Sequence, residues 1–375
     1  MNWKYSQPVS IYFGNGALGE LSQRIAERGY QRGVLITTTH FLKNGTAKKL
    51  LSNSENHLIN SFTGFSQNPD VSEVDGCAQL LRKEKADFIV ALGGGSVMDG
   101  AKAASAMALT GNSIKTYYGS QIPVPEEHLP VIAVPTTAGT GSEVTSVAVL
   151  TNREKGTKAP MSSNSFYPEC AVIDHRLTWS MSPYLTACTG IDVLSHAIEG
   201  YWSKGHQPIC DALAIHAAKL VFENLRVAYK DGTNVTAREK MSEASVIAGL
   251  AFGLPKTTSS HACSFPLTNL YGIPHGEACG LTLDFFIQIN GKKDVRTQEL
   301  SKILGFKNSE EMAMEVKNLK KELGLRMDLK DKNLTKKEKN QLIALSHYPN
   351  LCNNPVEITD RVLRKLYDYL CGEWQ

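Results

Sequence analysis

No two cysteines in this chain are spaced as C-x-x-C, although eight are present: Cys77, Cys170, Cys188, Cys210, Cys263, Cys279, Cys352 and Cys371. This scatter argues against a structural zinc knuckle and against a disulfide framework, and the thiols read mostly as buried residues. Long hydrophobic runs are also missing. Stretches such as 88–92 and 131–134 stop well short of the ~18–20 apolar residues that span a bilayer, so no membrane partner is expected. The opening MNWKYSQPVSIYFGNG lacks the charged region, apolar core and small-residue cleavage site of a secretory leader, and a cytoplasmic protein is the expectation. Net charge is nearly absent: 40 Lys plus Arg stand against 37 Asp plus Glu, a balance of +3. That is too little to grip a nucleic-acid backbone, so any anion-binding site must be local. Internal repeats, low-complexity tracts and Pro/Gly/Ser-rich linkers are not found.

What is present is an ordinary globular composition, 42% hydrophobic and 21% charged over 375 residues, long enough for two packed units. The first half alternates β-rich and helical stretches. Strands are expected at 33–37, 88–92 and 129–134, with helices at 73–84 and 98–109, a pattern that predicts a parallel sheet covered by helices. Beyond Asp174 the texture changes. Ser182 followed by Pro183 reads as an N-cap with proline in the first helical position, and helical patterns then dominate. An α/β domain over 1–180 and an all-helical domain over 181–375 follow. The Lys-rich stretch 328–339 reads as a solvated helix start and loop.

Within the first half, Phe88-Ile-Val-Ala-Leu-Gly-Gly-Gly-Ser-Val-Met-Asp-Gly-Ala-Lys102 is a strand, a glycine turn and a helix. Three glycines allow close backbone approach, and the amides of Gly95 and Ser96 open a helix whose dipole favours phosphate. Tight strand-to-helix turns also use glycine for steric reasons alone, so the run by itself leaves both readings open. A second turn, Pro135-Thr-Thr-Ala-Gly-Thr-Gly-Ser-Glu-Val-Thr145, again follows an apolar strand and adds the hydroxyls of Thr136, Thr137, Thr140 and Thr145. Two such loops at the carboxyl ends of parallel strands form a nucleotide crevice. Neither matches G-x-x-x-x-G-K-[ST], which disfavours a P-loop phosphotransferase.

In the second half, Asp192 and His196 lie four residues apart on one helical face, within reach of one ion. His261 and His275 follow in SSHACSFPLTNLYGIPHGEA, a stretch too rich in Pro and Gly for one regular element. One Asp and three His suit a divalent first-row metal, Fe²⁺ or Zn²⁺, and spacing does not choose between them.

These motifs, GGGSVMDGAK, PTTAGTGSEVT, DVLSHAIEGYW and the 261–275 block, occur in the order and spacing of the iron-containing alcohol dehydrogenase family, which the chain resembles from Tyr12-Phe13-Gly14 to Asn353-Asn-Pro. The resemblance implies a Rossmann-like domain binding NAD(H) or NADP(H), an all-helical metal-binding domain, an active site between them, and a homodimer. It implies metal ligands Asp192, His196, His261 and His275, and cofactor contacts from Asn68, Gly94, Gly95, Ser96, Thr136, Thr137, Thr145 and Lys158. Such an enzyme polarises an aldehyde oxygen with the metal while the nicotinamide supplies hydride.

Two departures from the family pattern stand out. Many members carry a histidine four residues after the first loop histidine, often assigned to proton transfer, and here that position is Phe265. The stretch before His261 is Lys256-Thr-Thr-Ser-Ser260, one cation and four hydroxyls that would satisfy the oxygens of an anionic substrate, although a helix start with exposed polar residues has the same composition. Lys256-Thr-Thr and Phe265-Pro266 resemble the phosphonoacetaldehyde reductase branch, so reduction of phosphonoacetaldehyde to 2-hydroxyethylphosphonate is the expected reaction. The alternatives are reduction of an uncharged small aldehyde of the butanal or lactaldehyde type, and a dehydroquinate synthase-like lyase. A dead binding protein of the same fold is a further reading. Thr39 stands where NAD-specific relatives often place an aspartate, which removes repulsion against a 2′-phosphate and leaves both NADH and NADPH open.

Overall fold

The computed structural model describes residues 2–53 and 57–373. The chain divides into two compact units. One comprises Ser6–Thr137 and Gly141–Thr178; the other comprises Met1–Tyr5, Ala138–Thr140 and Trp179–Gln375, so two short segments of the first half belong with the helices.

The first unit holds strands β1 (Ser10–Phe13), β2 (Gly33–Ile36), β3 (Leu58–Phe62), β4 (Phe88–Gly93), β5 (Val131–Pro135) and β8 (Cys170–Ile173), all parallel, in the order β1-β8-β5-β4-β2-β3. β6 (Val147–Asn152) and β7 (Thr157–Ser162) form a separate antiparallel hairpin. Its helices are α1 (Leu21–Glu27), α2 (Thr39–Lys43), α3 (Thr46–Asn53), α4 (Val71–Lys83) and α5 (Gly95–Thr110). Every residue of β4 is buried, as a parallel strand covered on both faces requires. The period of two sorts its side chains. Ile89 and Ala91 pack with Val71, Val74 and Met98 of α4 and α5, whereas Phe88, Val90 and Leu92 pack with Leu21 and Ile25 of α1.

Sequence pattern missed β1, β3, β8 and the hairpin. β1 and β3 are four and five residues long at the sheet edges, and Leu-Ile-Asn-Ser-Phe gives β3 no clean alternation. α4 starts at Val71 rather than 73 because Asp70 and Glu73 form a reciprocal capping box at its N-terminus.

The second unit contains α6 (Pro183–Trp202), α7 (Pro208–Lys230), α8 (Val235–Phe252), α9 (Ser259–Tyr271), α10 (His275–Gly291), α11 (Val295–Ile303), α12 (Ser309–Glu322), α13 (Lys336–Leu345) and α14 (Asp360–Leu370). Ser182 Oγ accepts from the Leu185 amide, and Pro183 opens α6. The 261–275 stretch is two helices, α9 with Pro266 inside it and α10, separated by Gly272 at φ 67°. The Lys-rich stretch is mostly exposed or half-buried and leads into α13, as expected, but Lys339 is 6% exposed and its Nζ donates to Asp368 and Glu373. All eight cysteines are free and six are buried. No helix among the described residues is long and apolar enough to cross a membrane.

Candidate functional site

In the α/β unit, the glycine turn closes β4 and opens α5, with Gly94 as N-cap in extended conformation and no side chain capping the first turn. A Cβ built on Gly94 would lie 3.2 Å from Thr137 Oγ1, so glycine lets the two loops approach closely. The Thr136 amide donates to the Gly93 carbonyl at 3.0 Å. Asn68, at φ 58°, donates its amide to Ser96 Oγ at 3.2 Å, and Lys158 Nζ donates to Asn68 Oδ1 at 2.7 Å. The fold thus gathers Asn68, Ser96 and Lys158, from three segments, beside the turn of Gly94 and Gly95. Thr39 is exposed at the first position of α2, just past the carboxyl end of β2.

Two further residues hold this region, Lys102 and Asp99, neither of which the glycine turn by itself marks as functional. Lys102 is fully buried, and its Nζ donates to Ser142 Oγ at 2.7 Å, to the Ser142 carbonyl at 2.9 Å and to the Thr145 carbonyl at 3.1 Å. Asp99 accepts from Ser142 Oγ at 2.5 Å and from the Val149 amide at 2.9 Å. The i, i+3 pair Asp99/Lys102 on α5 therefore fastens the second loop from below. Its presence inside GGGSVMDGAK was the available signal. Burial pulls the Lys102 ammonium down to about 8, against the attraction of Asp99 and Glu143.

In the helical unit, Asp192 and His196 are buried on α6, and His261 on α9. His275 is the first residue of α10, brought there because Gly276 packs flat on α6: a Cβ on Gly276 would lie 2.1 Å from the Cys188 carbonyl oxygen and 2.9 Å from Asp192 Cβ. Asp192, His261, His275 and Cys279 each present a ligand atom, all within 4.8 Å of one another. Cys279, four residues after His275 on the same helix, reads from composition only as a buried thiol; the i, i+4 spacing from His275 is the signal that links the two. His196 lies against this group. Its ring centroid is 4.4 Å from that of His261 and 4.1 Å from Phe252, on which it stacks.

The donors fit a divalent cation. Asp192 Oδ1, His196 Nδ1 and His261 Nε2 are buried without a hydrogen-bond partner, and Asp192 Oδ1 to His261 Nε2 is 3.6 Å, too long for a hydrogen bond. Unpaired buried polar atoms cost about 1–3 kcal/mol each, a cost that a shared cation offsets. Burial alone would raise the Asp192 carboxyl, but His196, His261 and His275 hold it far below the usual carboxylate range. Burial pushes His196 down to about 4, leaving its imidazole neutral and able to bind metal. At the departure position, the Phe265 ring packs on His275 with centroids 5.9 Å apart and on Tyr348 at 4.5 Å.

Lys256 adopts φ 68° in the turn between α8 and α9, half-buried, and no carboxylate pairs with it among the described residues. Burial alone lowers its ammonium below the ordinary lysine range. The hydroxyls that follow are largely engaged inside the protein: Thr258 donates to Glu199 at 2.9 Å, Ser259 donates to Asn354 at 3.0 Å, and Thr257 accepts from Asn350 at 3.2 Å. Lys256 is left as the cation of this stretch.

A parallel α/β unit with glycine- and threonine-rich loops at its strand ends, together with a helical unit carrying a carboxylate–imidazole–thiol group, is the equipment of a metal-dependent, nicotinamide-linked oxidoreductase. Residues 8–175 match the family described as iron-containing alcohol dehydrogenase, and 186–370 match the Fe-containing alcohol dehydrogenase family, C-terminal. The chain belongs to the iron-containing alcohol dehydrogenase family. Alcohol dehydrogenase 4 of Saccharomyces cerevisiae is 31% identical over 97% of this chain and 98% of its own. A sulfoacetaldehyde reductase of Bilophila wadsworthia is 33% identical over 75% of this chain and 73% of its own. The crystal structure of sulfoacetaldehyde reductase from Bifidobacterium kashiwanohense in complex with NAD⁺ superposes with a TM-score of 0.97 at 54% identity, covering 99% of each chain. With both halves matched to the dehydrogenase family, the lyase reading is set aside.

Proposed function

We propose that the protein reduces a two-carbon aldehyde bearing a tetrahedral oxyanion, sulfoacetaldehyde first, to the corresponding alcohol at the expense of NADH or NADPH. The carrying observation is Lys256: a half-buried ammonium without a carboxylate partner among the described residues, in the turn leading to His261. A desolvated, unneutralised cation favours a bound anion, and ammonium-to-oxyanion hydrogen bonds are among the stronger polar contacts. The two relatives described as sulfoacetaldehyde reductases support the sulfonate over other anions. Phosphonoacetaldehyde, which Lys256-Thr-Thr and Phe265-Pro266 favour by resemblance, shares the same shape and charge-bearing oxygens and is the competing substrate.

In this reading Asp192, His261 and His275 supply metal donors, Cys279 lies in the same cluster, and His196, the fourth expected ligand, stands beside His261 with its Nδ1 buried and unpartnered. A divalent ion held there would act as a Lewis acid toward the aldehyde oxygen. In the same reading, Asn68, Gly94, Gly95, Ser96, Thr136, Thr137, Thr145 and Lys158 bind the dinucleotide. The test is the rate of NADH and NADPH oxidation with sulfoacetaldehyde, phosphonoacetaldehyde, glycolaldehyde, propanal and butanal. The expected order places sulfoacetaldehyde highest in kcat/KM. Phosphonoacetaldehyde in first place would replace the sulfonate by the phosphonate, and butanal in first place would sink the anionic reading.

A further inference from the structure

We infer that Glu199 is a positioning residue that fixes the tautomer and orientation of His261 for metal binding. Glu199 is fully buried on α6, one turn beyond His196 and two beyond Asp192, so the three share a helical face. Its carboxylate accepts four donors: the amides of Thr258 and Ser260, the Thr258 hydroxyl and His261 Nδ1. That is about the full capacity of an ionised carboxylate. Trp202 Nε1 in turn donates to the Thr258 hydroxyl at 2.7 Å, which orients that hydroxyl's own proton toward Glu199.

An ionised carboxylate can only accept, so the ring nitrogen facing Glu199 must carry the proton. With Nδ1 committed to Glu199, Nε2 is the nitrogen through which His261 would bind a metal. Nε2 is the buried atom that lacks a hydrogen-bond partner and lies 3.6 Å from Asp192 Oδ1. One face of α6 thus addresses both sides of a single imidazole, with Asp192 at the nitrogen free to bind a metal and Glu199 at the nitrogen that holds the ring. Carboxylates behind metal-bound histidines act in this way, and their loss weakens metal binding about 10–100-fold.

This inference rests on the metal reading of Asp192, His261 and His275. The test is the cobalt(II) dissociation constant of full-length protein by chelator competition, with the visible cobalt spectrum and the melting temperature of the metal-free protein recorded beside it. Glu199→Gln cannot accept at both of its terminal atoms, and it should weaken cobalt binding about 10–100-fold and shift the cobalt bands. Thr258→Val removes a donor to Glu199 without touching His261, and it should change the affinity less than about threefold. Glu199→Gln with unchanged affinity and spectrum overturns the assignment, as does an equal loss in Thr258→Val. If Glu199→Gln does not fold, Glu199→Asp takes its place: a loss of tenfold or more beside a near-normal Thr258→Val supports the role, and equal losses in the two overturn it. Wild-type protein that binds no cobalt would overturn the metal reading instead, which keeps the two failures apart.

Discussion

The Lys256 amide donates to the Phe252 carbonyl at 2.7 Å, closing α8 with a lysine at φ 68°, while the Phe252 ring stacks on His196. The same residue therefore seats both the turn that carries Lys256 and the ring of His196. Lys256→Ala should raise KM for sulfoacetaldehyde about 10–100-fold, the range of a lost charged hydrogen bond, and should leave KM for propanal nearly unchanged. Equal effects on both aldehydes would count against an anion contact. Because glycine tolerates positive φ, Lys256→Gly should be more stable than Lys256→Ala by about 1 kcal/mol in urea unfolding.

Metal removal should abolish aldehyde reduction, and Fe²⁺, Zn²⁺ or Co²⁺ should restore it to different degrees. Binding also stabilises the native state, by about 2.7 kcal/mol at a metal concentration 100 times Kd, so the melting temperature should climb with added metal. Full activity after complete chelation would exclude a metal role.

Glu143 is 2% exposed, and burial raises its carboxyl to about 7 from an ordinary 4.5. The native state therefore holds a proton that the unfolded chain releases near 4.5, and stability falls as pH rises from about 4.5 to about 7, reaching its full penalty above that window. Glu143→Gln removes the penalty. It should gain on the order of 1–3 kcal/mol at pH 8 and much less at pH 5, as read from urea midpoints at the two values. A gain independent of pH would refute the buried-carboxyl account.

Thr39 is exposed at the start of α2, where a carboxylate would accept from ribose hydroxyls and repel a 2′-phosphate. Thr39→Asp should reduce kcat/KM for NADPH by about tenfold or more, on the scale of one unfavourable charge contact, and leave NADH use intact. Parallel losses with both cofactors would place Thr39 away from the ribose.

Sequence alone showed the features whose physics is local. The Ser182-Pro183 helix start, the glycine turn after β4 and the Asp192/His196 pair each depend on residues within about one helical turn, so spacing and residue type suffice to read them. The short edge strands escaped because four or five residues carry too little pattern, and their identity comes from backbone pairing with distant strands. The 261–275 block was legible as ligand-bearing, but its division into α9 and α10 depends on Gly272 and on the packing of Gly276 against α6.

Tertiary structure decided which side chains share a site and which charges are buried. Glu199 meets His261 across 62 residues, and Lys102 meets Ser142 across 40. Neither pair has a sequence period that links it. Cys279 joined the metal group, Lys339 left the solvent, and the threonine and serine hydroxyls after Lys256 turned inward, each because helices from separate parts of the chain close over them. The amino-acid sequence settled the kind of chemistry, because glycine turns and carboxylate–imidazole spacings are written in neighbouring residues. The clustering of Asp192, His261, His275 and Cys279, the contact of Glu199 with His261 and the burial of Lys256 could come only from the fold, since burial and hydrogen bonding depend on what surrounds a residue in space.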